Sequence, residues 1–344
     1  MARMTTASDE NFRIKGLAMK RGKRSQTRIR VAEQADGSWV EIPVIALRGA
    51  RPGPVFVTSA AVHGDEINGI EIVTKFANLL DLRRLKGTVV VLPVQNPLAV
   101  QAQHRYAVST FLRSPLDQSP ADPWAAFPGN PHGNTAARVA HVLYSQFMRH
   151  ADYLIDIHTP TTGGRYAPFA FLPPPRVGPV SERCLELAKV FGADFILQTE
   201  HGVYVMEESP HVVLARMGKI AFGVEVGEGG HIHPEDTKRA LQGLNNVLCA
   251  IGMMPGRVKS LGRKMVIKDQ FVIRATRAGM MERFCKLNQN VKKGQLLAVV
   301  TNMFGEVVEL VRSPRAGRVV RVATFPIISA GERVAQLGVP LTRR

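Results

Sequence analysis

Short apolar runs alternate with helical patterns through roughly the first 255 residues, and no other feature restricts the fold so strongly. Residues 55–62 (VFVTSAAV), 88–94 (TVVVLPV), Tyr153–His158 (YLIDIH) and 220–226 (IAFGVEV) place apolar side chains at consecutive positions. Strands covered on both faces read this way. Residues 69–80 carry a helical pattern after the first run. Residues 135–149 carry another, with Asn134 as N-cap and Val139, Val142, Leu143 and Phe147 on one face. A third helix is expected from a cap at Ser181 to a stop at Gly192, and a fourth over Pro234–Ala250. The alternation predicts an α/β sheet flanked by helices.

After Met254-Pro255-Gly256 the character changes. Residues 265–340 read as short strands separated by Gly, Asn and Pro turns, with no helical period. The expected division is a basic N-terminal arm (1–30), a catalytic domain (31–255) and a small basic β domain (256–344). The rhythm of the last part is similar to that of barrel-sandwich modules such as biotinyl or lipoyl domains. It lacks the lysine that such domains modify, so a carrier role is not expected.

Charge follows the same division. The chain of 344 residues has a net charge of +17, but residues 31–256 hold 18 basic and 21 acidic side chains. The excess sits in residues 1–30, with nine basic and two acidic groups, and in 257–344, with 18 and five. The part richest in core pattern is therefore not the basic one, and nucleic acid is not the expected partner. Solvated basic faces account for the ends, with an anionic partner as the alternative. No apolar run reaches the roughly 18–20 residues that cross a bilayer. The beginning of the chain has no apolar stretch of the secretory type, so a cytoplasmic location without membrane association is expected. Cys184, Cys249 and Cys285 are far apart and form no CxxC. A metal would have to be held by histidine and carboxylate.

One segment supplies both. His63-Gly64-Asp65-Glu66 follows the first strand, and a spacing of three lets an imidazole and a carboxylate face one ion from a turn that opens a helix. His158 ends another strand, at the edge where open α/β sheets place their ligands. His63, Glu66 and His158 would leave a fourth tetrahedral position for water, as in catalytic zinc sites. Alternatively, each histidine only satisfies local hydrogen bonds. Glu225 lies inside an apolar strand, where an unpaired charge is costly, so it is paired, neutralised or working. The working role is proton transfer; Glu228, in the next turn, is its local competitor.

These residues occur in an order that resembles the succinylglutamate desuccinylase/aspartoacylase family and, more distantly, the zinc carboxypeptidases. The ordered set is His63-Gly64-Asp65-Glu66, Asn96-Pro97 with Arg105 beyond, Phe127-Pro128-Gly129, Asp156-Ile157-His158 and Glu225-Val226-Gly227. The resemblance covers about residues 40–340. It implies a zinc-carboxypeptidase-like mixed sheet flanked by helices, with a C-terminal all-β, barrel-sandwich-like domain. It further implies one zinc ion per chain on His63, Glu66 and His158, Glu225 as general base and acid, and Arg105 polarising the scissile carbonyl. The expected activity is hydrolysis of the amide in a small N-acylated amino acid or amine, by a protein that can form a homo-oligomer. A carboxypeptidase-like peptidase and a catalytically idle metal-bearing binding protein are the alternatives.

One departure stands out. Family members usually carry Asn-Arg shortly before Phe-Pro-Gly to bind the substrate carboxylate, whereas this chain has Asp122-Pro123-Trp124-Ala125-Ala126 there. Trp124 either lines an apolar pocket or packs. Arg165 and Tyr166, after the Gly163-Gly164 pair, are the candidates for binding substrate in place of that pair. His231 and His233 alternate in a way that could form a second metal site.

Overall fold

The computed structural model describes residues 9, 12–114, 116–262 and 264–341. The chain opens with an antiparallel ribbon, β1 (Lys23–Glu33) and β2 (Trp39–Arg48), followed by β3 (Arg51–Ala60), α1 (Ile67–Leu79) and β4 (Lys86–Leu92). Two short helices, α2 (Pro97–Ala102) and α3 (Val108–Phe111), precede α4 (Thr135–Gln146), β5 (Tyr153–His158) and β6 (Gly164–Phe171). Then come α5 (Pro179–Phe191), β7 (Phe195–Leu197), α6 (Pro210–Arg216), β8 (Ile220–Glu228) and α7 (Pro234–Ala250).

The four apolar runs form the middle of the sheet. β4, β3, β5 and β8 are neighbours and mutually parallel, and β2 and β6 join antiparallel on either side. Helices cover both faces. Ile72 and Phe76 of α1, Leu187 and Phe191 of α5, and Leu244 and Val247 of α7 pack on one side. Val139 and Leu143 of α4 and Leu214 of α6 pack on the other. Burial of each such side chain contributes roughly 1.5–3 kcal/mol, which explains why unbroken β-rich runs settle here. Asn134 caps α4 by accepting from the Ala137 amide at 3.0 Å. Gly192 stops α5 in the left-handed conformation, φ 91°. That helix begins earlier than expected: Pro179 occupies its first turn after Gly178, and the Ser181 hydroxyl instead donates to the Pro173 carbonyl.

The basic segment at 20–24 leads into β1, the edge strand of the sheet, whose charged side chains face solvent as edge strands require. Asp9, earlier in the chain, is itself anchored. Its fully buried carboxylate accepts from the Thr88 hydroxyl at 2.8 Å and lies 3.6 Å from Arg48. Residues 1–8, 10 and 11 of the expected arm lie outside the described residues.

The C-terminal part is rich in strands, with no helix among the described residues: β9 (Met265–Arg274), β10 (Gly279–Arg283), β11 (Asn290–Val291), β12 (Leu296–Thr301), β13 (Val307–Arg312), β14 (Gly317–Ala323), β15 (Ile327–Ile328) and β16 (Arg333–Pro340). Its strands do not all keep to themselves. The main sheet runs β1-β2-β4-β3-β5-β8-β6-β7-β9-β16-β14-β11, and β13-β12-β10-β15 forms a second sheet. Leu297, Val300, Val311, Val319, Val322 and Leu337 fill the space between. β14 also pairs directly with β6, setting Arg321 opposite Tyr166 and Val322 opposite Arg165. The molecule is thus a mixed α/β protein whose C-terminal strands are stitched into the central sheet. No described helix is long and apolar enough to cross a membrane.

Candidate active site

The segment His63-Gly64-Asp65-Glu66 forms the turn between β3 and α1, and each of its four residues has a separate task. Ala61 turns the chain out of the strand in the left-handed region, φ 51°. His63 Nδ1 lies 2.6 Å from Glu66 Oε1, and Glu66 is the N-cap of α1. Gly64 fits where a side chain could not: a Cβ would sit 1.9 Å from the Ala99 carbonyl oxygen and 2.5 Å from that of His104. Its amide donates to the His104 carbonyl, which clasps the loop bearing Arg105 against this turn. Asp65 Oδ2 accepts from the Thr162 amide at 2.8 Å and from its hydroxyl at 3.0 Å, fixing the loop that follows His158.

His158 closes the group. Its Nδ1 is 3.0 Å from Glu66 Oε2, and ligand atoms of His63, Glu66 and His158 all lie within 4.8 Å of one another. All three side chains are buried. Their outer atoms are already committed: His158 Nε2 is 2.8 Å from Asp156 Oδ2, and His63 Nε2 is 3.0 Å from Asp122 Oδ2. Asp156 in turn accepts from Ser59 and Gln95. Both Nδ1 atoms therefore face the Glu66 carboxylate. This donor set, with each imidazole backed by a carboxylate, fits a divalent cation. Burial favours neutral His63, but the carboxylates of Glu66 and Asp122 outweigh it and push the imidazole up to about 9. His63 and His158 would lose that proton on holding a cation, whose charge would replace it beside Glu66.

Glu225 lies in register with His158 on the adjacent parallel strand. Burial first, and the nearby Glu66 carboxylate second, push its carboxyl up to about 7. Tyr204 donates to Glu225 Oε1 at 3.0 Å and holds it in place. A carboxylate so placed and so raised is suited to exchanging protons near neutral pH.

His63, Glu66, Asp122, His158, Tyr204 and Glu225 open onto one cavity of about 520 Å³. Arg105 lines it, 3.7 Å from Glu66 and 3.6 Å from Asp122, with Nε donating to the Tyr106 hydroxyl. Trp124 both lines and packs: it is stacked on His211 at 5.9 Å between ring centres and meets His158 edge-on. Tyr166 also faces the cavity, its hydroxyl donating to Gln270 at 3.1 Å. Arg165, one residue earlier, points to the other face of β6, where it pairs with Asp236 at 2.8 Å. It is not among the residues lining this cavity. Glu228 also lies elsewhere, between His233 at 3.1 Å and His231 at 3.8 Å. Among the described residues, only His63, Glu66 and His158 form a group of three or more side chains able to hold a metal.

Four residues of the site escape sequence reasoning. Asp122 arrives from a loop end and Tyr204 from a single 3-10 turn (Val203–Val205), and no spacing reveals the placement of either. Asp156 carried a usable signal, since residues two apart on a strand share a face and it stands two before His158. Arg321 carried the signal that marked Glu225, a charge inside an apolar strand (Val319-Val320-Arg321-Val322); it is buried and lines the same cavity.

Comparison with known proteins agrees with the resemblance. The family model described as the succinylglutamate desuccinylase/aspartoacylase catalytic domain matches residues 52–251. The N-alpha-acetyl-L-2,4-diaminobutyric acid deacetylase of Halomonas elongata is 27% identical over 313 residues, covering 87% of this chain and 86% of that one. The crystal structure of succinylglutamate desuccinylase/aspartoacylase from Rhodobacter sphaeroides superposes with a TM-score of 0.79 at 23% identity, covering 94% of this chain and 98% of the other. The product-bound ectoine utilization protein EutE (DoeB) from Ruegeria pomeroyi gives 0.78 at 23%, with the same coverage. These two share the fold. Because the matched segment contains His63, Glu66, Arg105, His158 and Glu225 and spans more than half of the sequence, the chain belongs to the succinylglutamate desuccinylase/aspartoacylase family.

Proposed function

We propose that this protein is a zinc-dependent deacylase that hydrolyses the amide of a small N-acylated amino acid or amine. The observation that carries the reading is the buried trio His63, Glu66 and His158 sharing a cavity with Glu225 and Arg105. Two imidazoles and one carboxylate are the ligands of catalytic rather than structural zinc. Bound there, zinc would supply Lewis acidity, acidifying water and polarising a carbonyl. The Halomonas relative, a deacetylase of an N-acetylated amino acid by its name, supports the substrate class.

Glu225 takes the proton of the attacking water and returns it to the departing amine. Tyr204, donating to Oε1, orients the carboxylate and leaves Oε2 without a partner. Arg105, permanently charged, offers its guanidinium to the carbonyl oxygen as negative charge develops. Trp124 and Phe171 supply apolar wall and restrict water. On this reading residues 31–255 are a zinc-carboxypeptidase-like catalytic domain and residues 256–344 a barrel-sandwich-like unit that closes one wall.

The test is amine release from a panel of N-acylated amino acids and amines by the zinc-loaded protein and by Glu225→Gln. Turnover that falls about 10²–10⁴-fold in the variant, with zinc content unchanged, supports the reading. No turnover on any member of the panel removes it.

A further inference from the structure

The cavity has a cation that the proposed chemistry does not use. Arg105 is engaged with Glu66 and Asp122, but Arg321 has no carboxylate within ion-pair distance among the described residues, and its Nη1 is buried with no hydrogen-bond partner. The residue is only 9% exposed. Burying an unpaired guanidinium costs several kcal/mol in a folded protein, so its retention calls for a compensating anion. The position is built for it. Pairing of β14 with β6 delivers Arg321 beside Tyr166, and its guanidinium rests on the bare backbone of Gly164, where a Cβ would lie 2.1 Å from Nη2. Arg333, exposed at the start of β16, lines the same cavity. Trp124 and Ala125 line the cavity too and offer no charge.

We propose that Arg321, supplied by the C-terminal strands, is the specificity residue that anchors a carboxylate of the substrate, with Arg333 adding positive charge to the same cavity. The inference rests on the deacylase reading and narrows it: the substrate is an anionic amide. A guanidinium grips a carboxylate with two parallel hydrogen bonds, which places the amide relative to Glu225 and Arg105. The carboxylate belongs either to the amino acid released or to a dicarboxylic acyl group.

The experiment compares zinc-loaded wild type, Arg321→Met and Gly164→Ala on three substrates: an N-acetyl amino acid, the matching N-acetyl amine without the carboxylate, and an N-succinyl amine. In wild type, a preference for the first places the carboxylate on the amine side, and a preference for the third places it on the acyl side. In Arg321→Met, KM for the preferred substrate is expected to rise on the order of 100-fold with a smaller change in kcat, and the preference over the uncharged amide to collapse. Gly164→Ala keeps the charge but pushes the guanidinium off its seat, and should weaken the preference in the same direction. The melting temperature of Arg321→Met is expected to match or exceed that of wild type, because no partner is orphaned; an arginine held for structure would lower it. Unchanged preference in both variants overturns the role of Arg321 and leaves the deacylase reading standing. If wild type hydrolyses nothing, the deacylase reading fails separately, and calorimetric titration with succinate decides the anchor. Binding lost in Arg321→Met supports it, and equal binding in both proteins, or none in wild type, overturns it.

Discussion

Asp156 and His158 stand two residues apart on β5, and the Asp156 Oδ2 to His158 Nε2 distance of 2.8 Å fixes the imidazole so that Nδ1 is the atom turned to Glu66. Asp156→Asn removes the charge that strengthens this imidazole as a ligand. Zinc affinity is expected to fall about 10–100-fold, measured by chelator competition on the folded protein.

Metal content itself is the broader check. Purified wild type should carry one zinc per chain, and His63→Ala should lose it. Chelation should lower the melting temperature of wild type, with recovery on adding zinc, because the ligands are gathered only in the folded chain. His63→Ala should show no such shift. A chelator-insensitive wild type would count against the site.

Gly64 predicts a local effect with a distant consequence. In Gly64→Ala the new methyl group meets the backbone of Ala99 and His104, neither of which is a flexible side-chain end. We expect a loss of ~1–3 kcal/mol in stability, read from denaturant unfolding. Turnover should fall further than stability alone explains, because the loop displaced carries Arg105.

Removal of the Tyr204 hydroxyl isolates its effect on the base. The hydrogen bond to Glu225 favours the charged carboxylate, opposing burial, so Tyr204→Phe raises the Glu225 pKa further. The base works when deprotonated. The acid limb of the pH–rate profile should therefore move to higher pH in the variant, while zinc content stays the same.

His211 gives the pH dependence of stability. Burial holds this imidazole down at about 4, with Nε2 2.8 Å from the Tyr204 carbonyl. Its folded pKa lies below the unfolded value of about 6.5, so between the two the unfolded chain binds the extra proton. Stability is then full above pH ~6.5 and declines as pH falls toward 4, by roughly 3 kcal/mol from this group. His211→Gln should flatten that part of the stability profile relative to wild type in pH-dependent melting.

The sequence reveals the metal ligands because they sit in local patterns: a three-residue spacing at a helix start, and a histidine ending an apolar strand. Helix α7 is equally visible, since its periodicity and Pro234 define it without help from distant residues. What sequence hides is contact between remote segments. Asp122 meets His63 across 59 positions, and Tyr204 reaches Glu225 from a short 3-10 turn. Arg165 illustrates the converse. It stands beside Tyr166 in sequence, but strand geometry turns neighbours to opposite faces, and only pairing with β8 and β14 determines which face meets the cavity.

The junction between β6 and β14 has a consequence for how such a protein can diversify. The metal ligands and base lie within residues 63–225, whereas Arg321 and Arg333 come from strands made after residue 265. Substitutions in the later segment can remodel one wall of the cavity while the reaction centre stays intact. Register guards that freedom: with a side-chain period of two, a one-residue slip of β14 along β6 would turn Arg321 away and present Val320 or Val322 instead. Insertions in the turn before β14 are therefore far more disruptive to ligand choice than point substitutions within the strand's exposed neighbours.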